Sequence, residues 1–184
     1  MVFRKLDKPT LACWVDASFG NRSEARTQGG CLVGLIDADM DAVLPAEKLV
    51  RAVPMGWRSG RQRRRSQSTA GAELLALRTG CAMLGYLRGF LIELGILNND
   101  AKMHLFSDAH DVVLASGNWK RPTEANLQAD YFQLRESVTE KFVAVHHIPG
   151  ARNVADCFTK DASSCAEALR LCGNLMRKGE VYIS

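Results

Sequence analysis

No apolar run in this 184-residue sequence approaches the roughly 18 residues that a membrane span requires. Its start, MVFRKLDKPT, also has no apolar stretch of the kind a secretory signal needs. These two absences predict a soluble, intracellular protein, cytoplasmic or nuclear, with no membrane partner. There is no Cys-x-x-Cys pair among Cys13, Cys31, Cys81, Cys157, Cys165 and Cys172, so neither a zinc ribbon nor a thioredoxin-like motif is indicated. Buried free thiols in a reducing compartment are the reading that remains. There is also no internal repeat, low-complexity tract or linker. The chain reads as a single domain over 1–184, with a core over about 10–162 and a C-terminal helix over about 164–178.

The net charge of +4 is modest, but it is unevenly placed: Arg58, Arg61, Arg63, Arg64 and Arg65 fall within eight residues. So dense a run repels itself unless an anion is near, which makes these arginines candidate phosphate ligands. A solvated basic loop is the alternative.

Hydrophobic periodicity gives the order of elements. LACWVDAS, CLVGLID and LVRAVPMGWR read as three successive strands, the third with Pro54 at an edge or bulge. Ser68 and Thr69 are candidate caps for a long helix in which Leu74, Leu77, Cys81, Leu84, Leu87, Leu91 and Leu94 recur at helical steps until Gly95 stops it. A short strand MHLFSD, a short helix HDVVLASG, a helix from near Pro122 to about Lys141, a strand FVAVHHI and a last helix over about Ala166–Arg177 complete the chain. This order predicts an α/β fold: a mixed five-stranded sheet, three antiparallel strands first and then two parallel, flanked by helices.

Four acids stand out. Asp16 interrupts an apolar strand, where an unpartnered carboxylate costs several kcal/mol. Asp108 ends the strand HLFSD, Glu73 lies in the first turn or two of the long helix, and Asp156 opens VADCFTK. Taken singly, each could be a cap or a solvated charge. Together they could converge at one end of the sheet, where oxygen-only ligands suit Mg²⁺ or Mn²⁺. Two such ions about 4 Å apart can activate a water and stabilise a departing oxygen in phosphodiester cleavage.

The neighbourhoods of these acids resemble the ribonuclease H domain that ends copia-type LTR retrotransposon polyproteins. The resemblance is carried by VDASFG, TQGGCLVGLID, GWRSGRQRRRSQSTAGAELLAL, FLIELG, LFSDAHD and HHIPGARNVADCFTK, in that order over roughly residues 10 to 160. It implies a ribonuclease H-like fold and cleavage of the RNA strand of RNA–DNA hybrids by two metal ions on Asp16, Glu73, Asp108 and Asp156. It also implies a place in reverse transcription, with a reverse transcriptase domain in the same polyprotein as a potential partner. A domesticated module that keeps the fold to bind nucleic acid or protein without cutting is the alternative. A DNA-cutting relative such as a transposase would place its Glu after both Asp residues, whereas Glu73 lies between Asp16 and Asp108.

A hybrid near A-form shows 2′-hydroxyls in a wide minor groove, so recognition should rest on phosphates and sugars. Ser18 and Asn153 are candidate contacts of that kind, or turn formers. His146 and His147 fall in a strand, one expected inward and one outward, and His110 follows Asp108; none has an assigned role. Trp14 and Trp57 are expected in the core, while Trp119 is the better stacking candidate. Asp37, Asp39, Asp41 and Asp111 read as solvated turn or cap acids.

Overall fold

The computed structural model describes residues 6–20, 27–38, 40, 49–117, 124–160 and 166–183. Strands β1 (Pro9–Ser18), β2 (Gln28–Asp37) and β3 (Leu49–Arg61) form an antiparallel meander. Helix α1 (Thr69–Glu93) leads to β4 (Met103–Ser107), α2 (His110–Gly117), α3 (Gln128–Thr139) and β5 (Val143–His147). Two 3₁₀ turns, Gly150–Arg152 and Val154–Phe158, precede α4 (Ala166–Lys178) and β6 (Glu180–Tyr182).

The sheet order is β5-β4-β1-β2-β3-β6, with β4 parallel to both β1 and β5. The expected three antiparallel and two parallel strands are therefore present. A sixth, β6, adds beside Leu49–Arg51 of β3; at three residues it was too short to leave a pattern in the sequence. Pro54 sits where the β2–β3 register shifts opposite Gly34, the bulge expected of a proline that cannot donate to the ladder.

β1 is central and covered on both faces, which explains its unbroken apolar run LACWV. Leu11, Cys13 and Val15 meet Leu74, Leu77 and Leu84 of α1 on one face. Ala12 and Trp14 meet Phe106, Val154 and Leu171 on the other. Trp14 stacks on Phe106 with ring centroids 5.4 Å apart, and its indole N–H donates to the Tyr182 carbonyl at 3.1 Å.

Ser68 caps α1 by accepting from the Gly71 N–H at 3.0 Å. Gly95, with φ +69°, ends it in the left-handed conformation that glycine adopts without strain. Helix α1 is long and apolar enough by composition to cross a membrane. Its apolar stripe is nonetheless packed on the sheet, with Leu77, Leu84 and Leu91 fully buried. The helix expected from near Pro122 begins instead with a 3₁₀ turn at Ala125–Leu127 and ends at Thr139; Pro122 and Trp119 lie outside the described residues, as do Asp39, Asp41 and Cys165. The five described cysteines are all free thiols, as expected.

Trp57 is a correction: it is 68% exposed rather than in the core. Among the described residues only Leu49–Arg51 of β3 pair with β6, and no strand lies beside the half bearing Trp57. Asp37 is a second correction, since it is not a solvated turn acid. It accepts from the backbone N–H groups of Asp7 and Lys8 at 3.0 and 2.8 Å and pairs with Arg51.

Candidate active site

Parallel pairing of β1 with β4 aligns Trp14 with Phe106. Asp16 and Asp108, each two residues further on, therefore emerge side by side at the carboxyl ends of adjacent strands. The turn Val154–Phe158 brings Asp156 to them from beyond β5. Oxygen atoms of Asp16, Asp108 and Asp156 all lie within 4.8 Å of one another. Glu73 reaches the same place from the second turn of α1, where the Ala17 backbone N–H donates to its carboxylate. It stands outside the tight trio.

The turn carrying Asp156 is held down by side chains and by an absent one. Asn153 caps it by accepting from the Ala155 N–H at 3.1 Å, while its own amide donates to the Val15 carbonyl at 2.9 Å. Gly30, paired with Asp16 across the β1–β2 ladder, lets the turn press on the sheet. A Cβ there would stand 2.6 Å from the Cβ of Phe158 and 2.9 Å from Cγ2 of Thr159. Gln28 and Ser59 both donate to the Phe158 carbonyl at 2.6 Å.

Electrostatically Asp16, Glu73 and Asp108 are strained by burial and by the acids around them. Burial, with repulsion from Asp156 and Asp108 added, pushes the Asp16 carboxyl up to about 6 against a hydrogen bond from Thr159 that pulls it down. Burial, then repulsion from Asp16 and Asp108, pushes Glu73 up to about 9. Burial and Asp156 raise Asp108 as well. The Oε2 of Glu73 and the Oδ1 of Asp156 are buried without a hydrogen-bond partner among the described residues. Clustered carboxylates with orphaned oxygens and raised pKa values lack positive charge, and a hard divalent ion supplies it. The donor set fits such an ion, which Asp16, Asp108 and Asp156 could hold together.

No protein-family model matches the chain, and no curated protein matches it in sequence. Solved structures do match in shape. The N-terminal RNase H domain of a Mycobacterium tuberculosis protein, solved as a fusion with maltose-binding protein, has a TM-score of 0.55 at 18% identity, with 89% of this chain and 99% of that one covered. RNase H1 of the halophilic archaeon Halobacterium salinarum has 0.55 at 16% identity, covering 88% and 98%. A compost-derived RNase H1, in complex with an RNA/DNA hybrid, has 0.50 at 13%, covering 81% and 93%. The chain has the ribonuclease H fold.

Two residues of this site were missed by sequence reasoning. The Thr159 hydroxyl donates to Oδ2 of Asp16, and the Lys160 ammonium pairs with Oδ2 of Asp156. Burial pulls the Lys160 ammonium down, but the Asp156 hydrogen bond and the charges of Asp16, Asp156 and Asp108 outweigh it and raise its pKa. Both belong to the motif ADCFTK, which was legible as a pattern but credited only to Asp156.

The remaining candidates separate. Asn153 is fully buried and caps the Asp156 turn, the turn-forming role weighed for it, with its amide also 3.5 Å from Oδ1 of Asp108. Ser18 is 5% exposed, on the Asp16 face of β1. The five arginines are all exposed, and four of them, Arg58, Arg61, Arg63 and Arg64, border one pocket. Arg61 pairs through Gln28 with Ser18 and shares the face of Asp16, whereas Arg58 pairs through Cys31 with Val15 and shares the face of α1. His146 lies inward, its Nε2 2.9 Å from Nδ1 of His104, and His147 is exposed. His110 is exposed and edge-on to the His147 ring, 5.3 Å away.

Proposed function

We propose that this protein is a metal-dependent endonuclease that hydrolyses the RNA strand of RNA–DNA hybrids, the ribonuclease H activity of a copia-type retroelement serving reverse transcription. The observation that carries the reading is the trio Asp16, Asp108 and Asp156, with oxygens within 4.8 Å and Glu73 adjoining, at the strand ends of this fold. The compost-derived RNase H1, of similar shape, is solved with an RNA/DNA hybrid, which agrees with the substrate class.

Bound to these carboxylates, a pair of divalent ions such as Mg²⁺, or Mn²⁺ in its place, would polarise the scissile phosphate, activate water and stabilise the departing oxygen. The chain's own residues orient the ligands. Thr159 fixes the Asp16 carboxylate, Lys160 fixes Asp156 and offsets part of the negative charge, and Asn153 ties the Asp156 turn to β1. Arg61, on the face of the acids, and Arg63 and Arg65 after it are placed in the sequence to hold backbone phosphates near the cut, with Ser18 beside them. Such contacts do not read bases, so cutting has low sequence preference.

The test is incubation of the chain with a labelled RNA–DNA hybrid, duplex RNA and duplex DNA, with and without Mg²⁺. Cleavage of the hybrid's RNA strand only, and only with the ion, is the expected outcome. Binding of the hybrid without cutting in Mg²⁺ or Mn²⁺ would instead identify a domesticated, silent module.

A further inference from the structure

Arg58, Arg64 and Arg78, together with Arg61 and Arg63, line a pocket of about 320 Å³ between β3, α1 and α3, which Gly29, Gly60 and Thr79 also border. A shallower groove of about 670 Å³ continues from it past Met55 and Met83 to Tyr86. The pocket is lined by five arginines against one carboxylate, Asp130, which is already paired with Arg64. Arg78 is held in place by its Nε donating to Gln133 at 2.8 Å.

On α1, Arg78, Ala82 and Tyr86 stand four residues apart and share one stripe. The small Ala82 leaves a floor between a guanidinium and an aromatic ring that is 80% exposed. From Glu73, the helix rise places Arg78 about 7.5 Å and Tyr86 about 20 Å further along its axis, a span of a few nucleotides. A basic track with one exposed ring is the arrangement that holds single-stranded nucleic acid, phosphates on arginine and a base on the ring.

We propose that this groove is a second nucleic-acid contact, which takes the single-stranded continuation of a strand leaving the acid cluster, with phosphates at Arg58 and Arg78 and a base stacked on Tyr86. The proposal rests on the nuclease reading above and adds a substrate class to it: hybrids that carry a single-stranded tail. An acidic peptide is the competing occupant, and the surplus of guanidinium groups beside a lone exposed ring favours the polyanion with a stacking face.

The experiment compares a blunt RNA–DNA hybrid with the same hybrid bearing a single-stranded DNA tail, in fluorescence anisotropy without divalent metal, for the parent, Arg78→Ala and Tyr86→Ala. Both residues are at least partly exposed, and unchanged thermal midpoints confirm that the variants fold. The tail is expected to strengthen parent binding. Tyr86→Ala is expected to cost about tenfold on the tailed substrate, and Arg78→Ala to lower the slope of log affinity against log salt by about one. Blunt-hybrid cleavage in Mg²⁺ should not change. That last assay tests the nuclease reading independently, so either claim can fail alone. A tail that adds nothing in the parent overturns the groove, as does a tail benefit that survives in both variants. So does an acidic peptide whose binding is lost in the variants while tail binding persists.

Discussion

Two sets of carboxylates lie at opposite ends of the β1–β2 ladder, and they are built in opposite ways. Asp37, at the far end, accepts two backbone N–H groups and a guanidinium, and the Lys8 amide foremost among them holds its carboxyl below the ordinary value. Asp16, Glu73 and Asp108 are buried together with Asp156, and burial with mutual repulsion lifts their pKa values. Aspartate in one strand context is thus a staple and in another a crowded charge. What separates the two is whether donors from the chain complete the charge or leave oxygens orphaned.

The sharpest way to break the comparison is to remove one of the crowded charges. Asp16→Asn or Glu73→Gln should lower Mg²⁺-dependent hybrid cleavage on the order of 1000-fold or more, since several kcal/mol of charge stabilisation goes with the ion. The same variants should melt no lower than the parent in EDTA, because one repelling charge is gone. Steady-state cleavage and circular dichroism melts check both halves; a variant that cuts at the parent rate removes that residue from the ligand set. A smaller loss, about 10- to 100-fold, is expected for Thr159→Val, which orients Asp16 without entering the ligand set. If that loss shrinks as Mg²⁺ is raised, Thr159 acts through metal affinity, as a positioning residue should.

The sequence made much of this legible and left other parts hidden for physical reasons. The strand and helix order could be read because β1, β2 and α1 carry strong apolar patterns with clear punctuation at Ser68, Pro54 and Gly95. The acids could be read because Asp16 sits in an apolar run, where a bare carboxylate demands a partner. Thr159 and Lys160 were overlooked because a hydroxyl and an ammonium after a turn look like ordinary surface residues until the turn folds onto β1. Asp37 was misjudged for a related reason: its donors, Asp7, Lys8 and Arg51, come from separate segments, and nothing local announces them. The arginine run could be read only as candidate phosphate ligands, because strand alternation and the packing of β3 on α1, which decide where each guanidinium lies, show only once the register is known.

Acidity divides the two regions with opposite signs. For Asp16 and Glu73 the folded values, about 6 and about 9, lie above those of an unfolded chain. Their protonated forms therefore favour the fold, a contribution complete below pH about 4 and lost as pH rises through 6 toward 9. In EDTA the melting midpoint should fall by about 5 °C or more between pH 5 and pH 8, and Mg²⁺ should remove or reverse the fall by stabilising the ionised forms. A metal-free midpoint that rises over this interval would contradict the crowding of charge at the acids.

The smallest effect isolates the staple. The Asp37 value is lowered, so its contribution is present above pH about 4 and lost as pH drops through the folded value. Asp37→Ala removes two backbone hydrogen bonds and a half-exposed ion pair with Arg51, which together stabilise by about 1 to 2 kcal/mol. That corresponds to roughly 2 to 8 °C in melting midpoint at neutral pH, and the difference from the parent should narrow below pH 4. Cleavage per folded molecule should stay at the parent level, because the staple lies at the other end of the strand from the ligands. A loss of cleavage without a loss of stability would mean that the two ends of β1 are coupled, and that the division between staple and ligand is not local.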